Sequence, residues 1–180
     1  MKGVQRWLVA TLVACLLLAR ADAAQTAVVN RYKAVFLYHF IGYVPWPETN
    51  TPTFRIAVLG DTGVTPLLRK IASSKLAGDR PITVTVYDDP RTLGPCELLF
   101  VTHEFVGSFD NISRTLMASH TLTVTDAMTA PSMAIQFVVI DDRVKFAIDL
   151  PTLERAGLRA SSQLLKLAVD TGPRPGGEGM

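Results

Sequence analysis

The chain has 180 residues, of which 48% are hydrophobic, and carries 18 Lys+Arg against 16 Asp+Glu. Three of those basic side chains (Lys2, Arg6, Arg20) and one acidic one (Asp22) fall within the first 23 residues. Without them the charges balance, so the slightly basic total is no argument for nucleic acid or for an anionic lipid surface. The chain beyond residue 23 suffices for one domain that buries about two-thirds of its unfolded surface.

Residues 1–23 have the make-up of a secretory signal. Lys2 and Arg6 give a basic start, Trp7 to Leu18 is an apolar run, and Ala21-Asp22-Ala23 offers small residues for cleavage. The run is shorter than the roughly 20 apolar residues that span a bilayer. Cleavage after Ala23 is the preferred reading, with an exported and soluble mature chain. The alternative is a lipoprotein, because Leu12-Val13-Ala14-Cys15 resembles a lipobox; against it, Leu16-Leu17-Leu18 simply continue the apolar core. Cleavage leaves Cys96 as the one cysteine, either a buried thiol at a strand start or an intermolecular partner. Asn111-Ile112-Ser113 fits a glycosylation acceptor, a pattern common by chance.

Beyond the leader, Val29, Tyr32, Phe36, Phe40 and Tyr43 keep helical spacing, which predicts a helix over Thr26–Tyr43. Val35, Leu37, Tyr38 and Ile41 add apolar surface around it, so this helix is either deeply buried or shared with a partner. Pro45 and Pro47, on either side of Trp46, stop it. Phe54–Leu59 is an apolar strand, and a helix starting near Thr65 runs through Leu67, Leu68 and Ile71. Ile82–Tyr87, Glu97–Val101 and Thr121–Val124 are strands, with a helix over Phe109–Ala118 between the last two. Ala134–Ile140 and Arg143–Ile148 flank Asp141-Asp142 as a hairpin. Pro151 opens a short helix, Gly157 ends it, and Ser161 or Ser162 caps another. Residues 170–180, rich in Gly and Pro, are expected to be a disordered tail. This alternation predicts a single-domain three-layer α/β sandwich over 24–169. Its Rossmann-like mixed sheet should be parallel in the first half, antiparallel at the C-terminal hairpin, and covered by helices on both faces.

Chemistry is sparse. There is no G-x-S-x-G elbow, and Ser161 and Ser162 stand five and four positions before Lys166, not the three of S-x-x-K. His103-Glu104 opens like a zinc-protease motif but places Gly107 where the second histidine belongs, and His39, His103 and His120 are far apart in the chain. No catalytic residue, metal ligand or cofactor is assigned. Gly60-Asp61-Thr62-Gly63 leads from a strand into a helix N-terminus, where backbone N–H groups can face a ligand. It lacks both G-x-G-x-x-G and Walker A, and Asp61 would repel phosphate, so a tight turn is the first reading and a small-ligand or partner crevice the second. Tyr38, Tyr43 and Trp46, at the end of the first helix, are either a buried staple or a partner-binding surface.

Five blocks carry a resemblance to a known family: Tyr32–Phe40 closing on Val44-Pro45-Trp46-Pro47; Phe54–Gly60; Cys96–Val101; Leu122–Asp126 with Met133–Phe137; and Val144–Ala168. In this order and spacing the chain resembles the YfiR family of periplasmic regulatory proteins. It departs from the pattern at Ala130-Pro131-Ser132, where the family favours a glycine pair, and in having no second mature cysteine for a stabilising disulfide. The resemblance implies a non-enzymatic regulator that binds the periplasmic domain of an inner-membrane diguanylate cyclase. Binding would repress the cyclase and so lower cyclic di-GMP and biofilm formation. It also implies an outer-membrane lipoprotein as a further partner. The surplus apolar residues on Thr26–Tyr43 point separately to a homodimer formed through this helix. A periplasmic small-ligand-sensing module acting on a sensor kinase or other membrane partner is the alternative.

Overall fold

The structure is a computed structural model that describes residues 2–108, 120–127, 130 and 133–169, with side chains described from residue 23 onward. The expected helix over Phe109–Ala118, the Asn111 acceptor and the 170–180 tail lie outside the described residues.

Helix α1 spans Lys2–Tyr43. It begins far before Thr26 because no Gly or Pro between Val4 and Ile41 interrupts helical geometry. Strand β1 (Phe54–Leu59) and helix α2 (Thr65–Ala72) come next, as expected. A two-residue strand β2 (Leu76–Ala77) then turns through Gly78, at φ +61°, into β3 (Arg80–Tyr87). β3 begins two residues earlier than its apolar pattern suggests. Pro81 is tolerated there because pairing with β1 starts only at Ile82, opposite Phe54, so no ladder bond is lost. Strands β4 (Leu98–Val101), β5 (Leu122–Thr125), β6 (Ile135–Ile140) and β7 (Arg143–Ile148) complete the sheet. Asp141 and Asp142 both have positive φ, 51° and 57°, the two-residue turn that matches strand twist.

The seven strands lie in the order β2-β3-β1-β4-β5-β6-β7. β3, β1, β4, β5 and β6 are mutually parallel, while β2 and β7 run antiparallel at the two edges. After β7 come α3 (Leu150–Arg155), capped by Asp149, and α4 (Ser162–Leu167), capped by the Ser161 side chain. Gly157, at φ +70°, stops α3 with the His120 ring where a Cβ would go.

Side chains alternate between the sheet's faces. Phe54, Ile56, Val58, Leu98, Phe100, Val124, Phe137 and Phe146 meet Leu37 and Phe40 of α1, Leu68 of α2, and Leu153 and Leu164 of α3 and α4 in the main core. Ala57, Leu59, Leu99 and Val101 point the other way, into a smaller cluster with Cys96, Met133, Phe105 and Val106. Burial of both faces explains why β1 and β4 read as nearly unbroken apolar runs. Phe40 packs edge-on to Phe146, with ring centroids 4.9 Å apart, and this contact seats α1 on the sheet. Among the described residues no helix is long and apolar enough to cross a membrane.

Candidate functional site

The end of α1 gathers its aromatics in one place. Pro45 and Pro47 prevent the helix from continuing, and the chain turns so that the Trp46 indole N–H donates to the Ile41 carbonyl at 2.7 Å. The indole then meets Phe54 of β1 edge-on, with centroids 5.0 Å apart. One turn back, the His39 ring stacks on Tyr43 at 5.9 Å and lies beside Tyr38 at the same distance. The Tyr38 hydroxyl reaches across to the Leu76 carbonyl at 3.4 Å, tying α1 to the β2–β3 hairpin. Between helix end and hairpin lies a groove of about 550 Å³, lined by Tyr38, His39, Tyr43, Trp46, Leu76 and Arg80.

Arg80 is held from below. Its guanidinium lies 5.4 Å from the centre of the Phe54 ring, within range of a cation–π contact, and donates to Thr51 Oγ1 at 3.0 Å. It is also 3.8 Å from Glu97, which accepts two side-chain bonds from Arg55, each 3.1 Å, and one from the Arg55 backbone N–H at 2.8 Å. Burial works against the ionised form of Glu97, but the bonds from Arg55 outweigh it and hold the carboxyl below the usual carboxylate range. The same bond, to Glu97, raises the Arg55 guanidinium. This knot joins the N-terminal ends of β1, β3 and β4 and fixes the groove floor.

The glycine loop after β1 stands at the sheet's topological switch, where the chain leaving β1 runs to one side, toward β3, and the chain leaving its neighbour β4 runs to the other, toward β5. Its polar groups are already used locally. Asp61 accepts from Thr62 N–H and Thr62 Oγ1 accepts from Val64 N–H, both at 2.9 Å. Gly60, at φ +86°, lies tight against Thr102 Oγ1 and the Phe105 ring, and the Asn30 side chain packs against Gly63. The Thr65 and Thr102 hydroxyls are buried with no hydrogen-bond partner among the described residues. Further along this edge, Lys33 of α1 pairs with Asp126 at 2.7 Å, and Asp126 also accepts from His103 N–H at 3.1 Å. Gly60, Asp61, Thr62 and Gly63 therefore form a tight turn on the opposite end of the sheet from the aromatic groove, with Gly60 buried and Asp61 and Gly63 exposed.

The other chemistry-bearing residues are placed structurally. Burial pushes the Cys96 thiol up to about 12, so it stays protonated at neutral pH and is a poor nucleophile. Ser161 spends its hydroxyl on Leu164 N–H as a helix cap. Among the described residues no three His, Cys, Asp or Glu side chains come together as a metal site. The structure thus brings Tyr38, Tyr43 and Trp46 into one groove and adds His39, Leu76 and Arg80, which the sequence did not place there. The hairpin carried no signal, because a two-residue strand has no measurable period.

The described residues form a mixed α/β domain with a concave aromatic groove at the end of α1. Residues 30–169, well over half of the chain, match the family model described as YfiR/HmsC-like, and the chain belongs to that family. The family is one of periplasmic regulators in cyclic di-GMP signalling, generally without enzymatic activity, that act with membrane signalling partners. No curated protein matches the chain.

Proposed function

We propose that this protein binds the periplasmic domain of an inner-membrane diguanylate cyclase and holds the cyclase inactive, without chemistry of its own. The observation that carries this reading is the groove at the end of α1. Tyr and Trp are the side chains that most often anchor protein interfaces, and here they converge in a concave site flanked by an arginine. Repression needs only a preference for one conformation of the cyclase domain; a tenfold preference amounts to about 1.4 kcal/mol. Dimerisation through α1 is part of the same reading. Val28, Tyr32 and Val35 are 48, 54 and 37% exposed at one-turn spacing, a stripe on the helix side away from the sheet.

Deleting the gene in its native host is expected to raise cyclic di-GMP and biofilm, and supplying the exported chain in trans should reverse both. Unchanged cyclic di-GMP in a strain whose cyclases are intact would refute the repressor role.

A further inference from the structure

We propose that the open edge of β3 takes an extended strand from the partner's periplasmic domain, which joins the sheet beside it; this rests on the reading of the protein as a regulator of such a partner. β2 pairs only with Arg80 and Pro81. From Ile82 to Tyr87 the strand therefore has β1 on one side and, among the described residues, no strand on the other. The Tyr87 carbonyl accepts from Gly60 N–H at 2.9 Å, on the β1 side. Successive residues of a strand turn their backbone groups to alternate sides, so Thr83 and Thr85 also face β1, and Ile82, Val84 and Val86 turn N–H and C=O outward. No backbone bond from another described segment reaches those three. Sheet edges are ordinarily guarded, and the opposite edge here is: β7 carries Arg143 and Lys145, and its Phe146 carbonyl is taken by Val169 N–H at 2.9 Å. Beyond Pro81, by contrast, Ile82–Tyr87 holds no charge, no proline and no break in register.

Only an extended main chain matches N–H and C=O groups at this spacing, which fixes the chemistry of the occupant. Its two faces follow as well. On one face Val84 and Val86 are half-buried against the core, as are Leu67 and Ile71 of α2, the helix that packs on β3. On the other face Thr83 and Thr85 are exposed. The incoming segment therefore needs apolar residues at every second position and polar ones between them. A second copy of this chain fits less well. Antiparallel pairing about Val84 would set Thr against Thr and Val against Ile, but it brings Tyr87 of the copy opposite Pro81, where Leu76 of β2 already stands. A second self-pairing surface beside the α1 stripe would also build assemblies larger than a dimer.

The test uses residues 24–180 and amide hydrogen exchange followed by NMR. In the free chain Ile82, Val84 and Val86 should exchange, relative to their intrinsic rates, at least about tenfold faster than Thr83, Thr85 and Tyr87. The purified periplasmic domain of a cyclase from the same host should then slow Val84 and Val86 at least about tenfold. Val84→Pro removes an outward N–H and no bond to β1, and should bind that domain at least about tenfold more weakly. Val84→Ala keeps the N–H and should bind within about threefold of wild type. Equal exchange at all six positions in the free chain, or binding of Val84→Ala as weak as that of Val84→Pro, would overturn the proposal. So would protection of Val84 and Val86 that grows with the concentration of this chain alone, the mark of a second copy. The exchange measurement needs no variant, so it decides even if Val84→Pro fails to fold. A phage-displayed library of random peptides separates the two readings. Peptides of alternating apolar and polar residues that protect Val84 and Val86, without binding of the cyclase domain, would keep the edge and remove the cyclase. Binding of the domain with unchanged exchange at Val84 and Val86 would remove the edge and keep the cyclase.

Discussion

At Glu97 burial and ion pairing oppose each other, and pairing wins because three donors from Arg55 converge on one carboxylate. A carboxyl held low in the folded state adds stability above its unfolded pKa, about 4.3, and that contribution fades as pH falls through the lowered folded value. Glu97→Gln should therefore be less stable than wild type at pH 7, and the gap between their urea midpoints should shrink below about pH 4. A gap that stays constant from pH 7 to pH 3 would remove the ion pair from the account. None of this was visible in the sequence, where Glu97 reads only as the polar start of an apolar strand. Its partner Arg55 lies 42 positions away and meets it through the β1–β4 pairing. Cys96 was better served by sequence: the apolar run directly after it signals a buried thiol, and its exposure and raised pKa agree.

At the scale of elements, α1 connects core to groove. Its Phe40 face and the Trp46 corner are both set by spacing and by Pro45 and Pro47, so they were legible before any fold was known. What the corner does depends on a single bond from the indole to the Ile41 carbonyl and on the Phe54 ring beneath it. Trp46→Phe keeps most of the apolar contact and deletes the donor. It should cost about 1 kcal/mol, read as a lower urea midpoint at unchanged slope. A loss no greater than that of an exposed-site substitution would mean that the indole N–H does not hold the corner. The hairpin β6–β7 and the caps at Asp149 and Ser161 were likewise readable, because turn and cap residues act on their own neighbours. β2 was not, since two residues become a strand only when β3 is already beside them.

For the whole molecule, the exposed stripe of Val28, Tyr32 and Val35 leads to an expectation about assembly. Residues 24–180 should sediment as a dimer, and Val28→Glu/Val35→Glu should sediment as a monomer with the same urea midpoint, since neither side chain enters the core. A dimer that survives the double substitution would place the interface elsewhere. The sequence by itself determined the alternation of strands and helices, the mixed sheet with its antiparallel end, and the family, because these depend on local periodicity, punctuation and ordered motifs. Only the tertiary structure decided where the groove lies and that Gly60 is closed in by Thr102 and Phe105. The reason is physical: a groove is made by surfaces from distant parts of the chain. Tyr38 meets Leu76 and Arg80 meets Phe54 only once the sheet order β2-β3-β1 has set the hairpin beside the end of α1.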